Sequence, residues 1–160
     1  MLQIRLICVG KLKEKFYIDA TKEYMNRLSA YCKIETEAIS EARLPERPSE
    51  AEISAALKSE AEAITEKLIK GSAVIALCVE GAQTDSEELA ARIDRFASDG
   101  VSRLSFVIGG SYGLHPSVKE RADMRLSMSR MTFPHHLARI MLLEQLYRSF
   151  KILEGGKYHK

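Results

Sequence analysis

A chain of 160 residues is long enough for one domain with a real core and too short for two ordinary ones. Its 46% apolar share is that of a globular protein, and a formal charge of +2 is too small to announce a nucleic-acid binder by itself. No apolar run is long enough to span a bilayer, and the start, Met1 to Val9, lacks the pattern of a signal peptide.

Leu2 to Val9 begins by alternating and then turns continuously apolar, which predicts a strand running into the core. From Glu14 onward, Tyr17, Ala20, Tyr24, Leu28 and Tyr31 recur at helical spacing. Ile34 to Ile39 is a short strand candidate, and Leu44 to Pro48 is a loop because two prolines fix the backbone. Ser49 with Glu52 predicts a capping box, followed by a helix whose stripe is Ile53, Leu57, Ile64 and Leu68 and which Gly71 stops. Ala73 to Val79 reads as a strand covered on both faces. Thr84 with Glu87 predicts a second capping box, leading into a helix marked by Leu89, Ile93 and Phe96 that ends near Gly100.

Leu104 to Ile108 is the next buried strand and runs straight into Gly109–Gly113. His115 to Glu120 predicts a short helix, Arg125 to Met128 a short strand, and Ser129 to His135 a loop closed by Pro134. A strong helix from His136 to Ile152 is apolar on more than one stripe, through Leu137, Ile140, Met141, Leu143, Leu146, Tyr147 and Phe150. Leu142 is read as facing outward. Such a helix covers a partner subunit or lies at the centre of the monomer. Strands alternating with helices predict a single α/β domain, with a largely parallel sheet and helices on both faces.

Cys8, Cys32 and Cys78 are odd in number and widely spaced, which fits a reducing cytoplasm and argues against a disulfide framework or a zinc site. Acidic residues crowd Glu35–Glu66 and Asp85–Asp94, whereas basic residues gather late, from Arg125 to Lys160. That distribution allows an RNA-facing C-terminal third or a merely solvated face.

Three constellations could carry chemistry. Gly109, Gly110 and Gly113 follow a buried strand, where glycines let a backbone approach a ligand closely; a plain connecting turn is the alternative. Their spacing is neither the dinucleotide fingerprint nor a P-loop. Met128, Ser129, Arg130, Met131, Thr132 and Phe133 lead to His135 at a helix start, where free amides can hold an anion. His135 and His136 are adjacent and cannot share a metal, so no metal site is expected. Last, Gly155 and Gly156 release Lys157, Tyr158, His159 and Lys160 from the helix. This tail is either a frayed terminus or an aromatic and basic group that holds single-stranded RNA.

Taken in order, Val9–Phe16 (VGKLKEKF), Phe106–His115 (FVIGGSYGLH), Ser127–His135 (SMSRMTFPH), Glu144–Arg148 (EQLYR) and the final Tyr158-His159-Lys160 resemble the RlmH family of SPOUT methyltransferases. The resemblance implies a C-terminal trefoil knot, a homodimer, and S-adenosylmethionine as methyl donor. It implies methyl transfer to N3 of a pseudouridine in 23S rRNA, on the assembled ribosome. By motif match, the cofactor pocket is expected from the loop after Leu77, from Gly109 and Gly110, and from Met128, Ser129, Arg130, Met131, Thr132 and Phe133. His159 and Tyr158 are the expected acid–base candidates, with His135 in reserve. Tyr112 stands where a small polar residue is equally expected, and no cofactor contact is assigned to it. A non-catalytic RNA- or ribosome-binding protein and a Rossmann-like oxidoreductase are the competing readings. The missing downstream acidic residue counts against the second.

Overall fold

The opening apolar run forms strand β1 (Leu2–Val9) in the computed structural model, which describes residues 1–159. Helix α1 (Lys15–Leu28) returns the chain to β2 (Cys32–Ile39), which lies parallel to β1. Then follow α2 (Glu50–Lys67), β3 (Ala73–Gln83), α3 (Ser86–Ser98), β4 (Arg103–Ile108), α4 (Pro116–Arg121), β5 (Met124–Ser127) and α5 (His135–Leu153). The strands pair in the order β2-β1-β4-β3-β5, every pair parallel. This is the expected parallel α/β sheet with helices on both faces.

Period-two alternation divides the core between the two faces. Ile4, Leu6 and Cys8 of β1 join Phe106 and Ile108 of β4 under α1, α3 and α5, where Leu28, Leu89, Leu142, Leu143 and Leu146 are buried. Ile7, Val9, Val74, Ala76 and Val107 face the other way, against Ile64 of α2 and Val118 of α4. Much of the apolar breadth of α5 is therefore spent inside the chain. Leu142, expected to face outward, is 0% exposed. The helix packs on both α1 and α3, which turns a second stripe inward.

Ser49 and Glu52 form the expected capping box on α2. The second box is corrected: Asp85, not Thr84, caps α3 by accepting from the amide of Glu88 at 2.7 Å. The reason is that β3 does not stop at Val79. After Leu77 the chain bulges out and returns to pair Ala82 with Leu126 and Gln83 with Ser127. That return pushes the helix start one residue on and leaves Thr84 Oγ1 to bond the Glu88 carboxylate at 2.8 Å. The same ladder sets β5 one residue earlier than expected, starting where Met124 meets Ile75.

Candidate active site

Three loops at the C-terminal ends of β3, β4 and β5 enclose a cleft of about 290 Å3. The first is the bulge Cys78–Gly81. Leaving the ladder frees its backbone donors and acceptors, as bulges beside functional sites commonly do. A Cβ on Gly81 would lie 2.9 Å from the backbone of Arg125 and Leu126, so only glycine lets the bulge pass that close to β5.

The second loop is the glycine turn. The amide of Gly113 donates to the Gly110 carbonyl at 3.0 Å, and Gly113 sits at φ +80°. A Cβ on Gly109 would lie 2.3 Å from the Gly113 carbonyl oxygen, and one on Gly110 2.9 Å from Glu41 Oε1. At Gly109 the need for glycine thus comes from the chain's own backbone, whereas at Gly110 the near atom is the end of a flexible side chain that can shift. Glu41 accepts from Ser111 through both its amide at 3.4 Å and its hydroxyl at 3.3 Å, which clasps the turn to the β2–α2 loop. That loop is anchored in turn by buried Glu60, which accepts from the amide of Ala42 at 2.9 Å; burial raises its carboxyl above the usual range.

The third loop is organised by two serines. Ser127 Oγ donates to the Ser129 carbonyl, and Ser129 Oγ accepts from the Met131 amide, both at 3.0 Å. Pro134 then starts α5 without a side-chain cap.

Of the residues expected to hold the cofactor, Leu77, Gly109, Gly110, Met128, Ser129, Met131 and Phe133 line this cleft, and so does His135. Arg130 and Thr132 are exposed on the same loop but are not among its lining residues. Val79 and Glu80, in the expected loop after Leu77, line it too, while Tyr112, Leu126 and Lys119 line it without having been assigned to it. Gly81 marks the bulge that carries Val79 there. Lys119 reaches across from α4 to pair with Glu80, which pulls the Glu80 carboxyl below its ordinary range. Cys78 also lines the cleft, and burial followed by the Glu80 charge pushes its thiol up, away from reactivity.

Tyr158 and His159 are placed elsewhere, and the frayed-terminus reading of the tail is corrected for these two residues. Tyr158 OH donates to Glu144 Oε1 at 3.3 Å, and its ring stands edge-on to Tyr147 at 5.0 Å. The Arg148 guanidinium lies 4.8 Å from the same ring and is held by Glu144 at 2.5 Å. His159 Nδ1 is 3.4 Å from Arg148 Nη1, and its Nε2 is 3.6 Å from Glu87. Burial first, then the Glu144 charge, raises the Tyr158 phenol above its ordinary value. Lys160 lies outside the described residues. The tail is thus docked on the α3 and α5 side, beside a second groove lined by Tyr24, Ser86, Ile140, Met141, Glu144 and Gln145. Leu126 and Met128 line both this groove and the cleft.

His135 sits where α5 meets the end of β1: its Nε2 would be 3.2 Å from a Cβ on Gly10. The neighbouring His136 is held below the ordinary imidazole value, chiefly by burial and then by the charges of His135 and Arg139. Arg139 is 5% exposed and donates to the Gly10 carbonyl at 2.9 Å, while its Nε has no partner. The late basic residues are not all free at the surface, although Arg130 and Lys157 are exposed. Arg139 is buried, Arg148 and Lys151 are paired with Glu144 and Glu154, and Arg125 donates to the Lys119 carbonyl. Among the described residues no group of histidines, cysteines and carboxylates could hold a metal, and no helix is long and apolar enough to cross a membrane.

Known proteins share this sequence and fold. A family model described as predicted SPOUT methyltransferase matches residues 2–159. A ribosomal RNA large subunit methyltransferase H of Bifidobacterium animalis subsp. lactis is 47% identical over 159 residues, covering 99% of this chain and 100% of that protein. One of Bacillus thuringiensis is 46% identical over the same span, again covering 99% and 100%. Among solved structures, a protein of Bordetella pertussis described as a probable methyltransferase superposes with a TM-score of 0.60 at 15% identity, covering 92% of this chain and 96% of that one. The full-length match of sequence and the five-stranded parallel sheet agree: this chain belongs to the SPOUT methyltransferases, and within them to the RlmH family.

Proposed function

We propose that this protein transfers a methyl group from S-adenosylmethionine to N3 of a pseudouridine in 23S rRNA of the assembled ribosome, acting in the cytoplasm as a homodimer. The observation that carries the reading is that seven of the nine residues matched to the family's cofactor pocket meet in one cleft. Relatives of the same length are named as ribosomal RNA large subunit methyltransferases. The cleft suits a nucleoside-bearing donor. Leu77, Leu126, Met128 and Phe133 offer apolar walls for a flat ring, and the bulge and the glycine turn offer backbone polar groups for its edge.

When bound, S-adenosylmethionine supplies a methyl carbon that its sulfonium makes electrophilic. The chain then has to align a nucleophile, exclude water and handle one proton. N3 of pseudouridine becomes nucleophilic when its proton leaves, and an imidazole or phenol nearby can accept that proton or support the anion. His135 is already at the cleft. Tyr158 and His159 reach a cleft only through a second copy, because each chain stores its own tail against α5. A dimer packed through the groove of Ile140, Met141 and Tyr24 would bring one chain's tail near the other's cleft, since Leu126 and Met128 border both. A knotted path of the C-terminal third belongs to the same reading. A base in A-form RNA is out of reach, so the target lies in a loop or is flipped out.

Calorimetry with S-adenosylmethionine, and mass spectrometry of rRNA from cells with and without the gene, test the reading. One methylated pseudouridine lost with the gene and restored by it is expected. Unchanged rRNA, or no donor binding by the folded protein, would overturn it.

A further inference from the structure

We infer that the rim formed by Lys11, Lys13 and Phe16 is a stacking platform for an unpaired rRNA nucleotide flanking the modified one. The inference rests on the reading of an RNA substrate and adds to it a binding site on the far side of His135 from the docked tail.

Phe16 lies in the first turn of α1, yet 65% of it is exposed, an unusual position for a large apolar ring. Its ring lies 4.3 Å from Tyr17 and tilted to it; Tyr17 is 5.9 Å from His136, and His136 is 4.2 Å from His135 at the cleft. Four rings therefore run without a break from the solvent-facing rim to the donor site. Of the six other large exposed apolar side chains among the described residues, Val79, Tyr112 and Met131 line the cleft, while Met1, Leu137 and Leu153 do not. Phe16 thus continues, along α1, an exposed apolar surface that starts at the cleft mouth.

The charges favour RNA over a protein partner. Lys11 and Lys13 are exposed on the loop between β1 and α1, and among the described residues neither forms an ion pair. Lys15 is tied to Asp19 at 2.5 Å and contributes less. An exposed ring beside free ammonium groups is how single strands are held: the base stacks, and the phosphates on either side meet cations. The loop is also fixed in place. Arg139 grips the Gly10 carbonyl from below and the Gly10 amide donates to Ile39 at 2.7 Å, so the lysines project from a braced turn.

The chain contains no tryptophan, so Phe16→Trp places a single fluorophore on the rim. Titration with a short unpaired RNA oligonucleotide should quench its emission. Phe16→Ala should weaken binding of that oligonucleotide by about tenfold, since a stacked base is worth roughly 1–3 kcal/mol. Lys11→Glu with Lys13→Glu should flatten the dependence of log affinity on log salt by about 1.4, at roughly 0.7 per phosphate contact. S-adenosylmethionine affinity should not change in any of these variants. No quenching, together with wild-type RNA affinity in Phe16→Ala, overturns the platform even if the wild-type protein methylates ribosomes. A wild-type protein that binds the oligonucleotide but leaves ribosomes unmethylated overturns the proposed reaction instead.

Discussion

Deleting Tyr158, His159 and Lys160 separates a docked tail from a frayed one. Three contacts hold Tyr158 to α5. The edge-on packing against Tyr147 at 5.0 Å is worth about 0.5–1.5 kcal/mol. The Arg148 guanidinium 4.8 Å from the ring adds about 0.5–1 kcal/mol at a half-open site. The hydroxyl's bond to Glu144, at 3.3 Å, contributes about 1 kcal/mol. Ordering the segment behind two glycines offsets part of this, which leaves about 2 kcal/mol. For a domain of this size that corresponds to a melting temperature lower by roughly 4–8 °C. Scanning calorimetry reads the shift. Tyr158→Phe should give less than half of it, because only the hydroxyl bond is lost. The same truncation should leave donor binding intact and reduce methyl transfer to ribosomes by about 10²-fold, the scale of a lost acid–base group. An unchanged melting temperature would refute the docking argument. A wild-type transfer rate would remove the tail from the chemistry and move the proton acceptor to His135.

Gly109→Ala should lower S-adenosylmethionine affinity by about tenfold or more in calorimetry, because its Cβ would meet the Gly113 backbone at 2.3 Å and backbone cannot swing aside. Gly113→Ala, with open space around its Cβ and only the φ of +80° to strain, should cost about 1–2 kcal/mol in chemical denaturation and less in affinity. His136, whose imidazole is depressed in the folded chain, makes the unfolded state bind more protons at acid pH. Its contribution is full above the ordinary value near 6.5 and falls as pH drops from there through the folded value, so His136→Gln should flatten the loss of stability in denaturant titrations below pH 6.5. Arg139→Met should leave the melting temperature unchanged or raised, since a buried guanidinium with no carboxylate partner is removed, yet it should slow methyl transfer by freeing the Gly10 turn. A large destabilisation would mean that the single bond to Gly10 outweighs the cost of burying the charge.

The fold was legible because its signals are local. Periodicity, short apolar runs and turn residues together located the ten elements, and the Ser49 cap fell on its residue. What escaped depends on distant pairing. The length of β3 is set by Ala82 meeting Leu126 and Gln83 meeting Ser127, partners more than forty residues away that no window over Ala73–Val79 contains. The Thr84 error is a consequence of that one. Leu142 was misread because an α5 stripe has no sign saying whether α1, α3 or another subunit covers it. The cleft was legible in the two glycines and in the loop after β5, whose chemistry is in their own residues. The fate of the tail was not, because a Gly-Gly pair specifies freedom, while the docking comes from Glu144, Tyr147 and Arg148 on the preceding helix.

The local rules that this chain breaks are concentrated at one edge of the sheet. α2 and α3 begin with capping side chains and acidic first turns, which satisfy their free amides and their dipoles. α1 and α5 begin with neither: Glu14 and Pro134 give no side-chain cap, and both first turns lack an acid. Arg139 Nε and His136 Nδ1 are buried without partners at the same edge, and Cys78–Gly81 abandon their ladder there. Each of these costs stability taken singly. Together they lie around the cleft end of the sheet, where α5 meets the end of β1 and the β3 bulge leaves its ladder, and they leave donors there without partners. A surface optimised only to fold would have closed these positions as it closed the start of α2. Open positions of this kind suit a surface that binds a ligand, and it is this difference between the two sets of helix starts, readable in Ser49 and Asp85 against Glu14 and Pro134, that agrees with the proposed site.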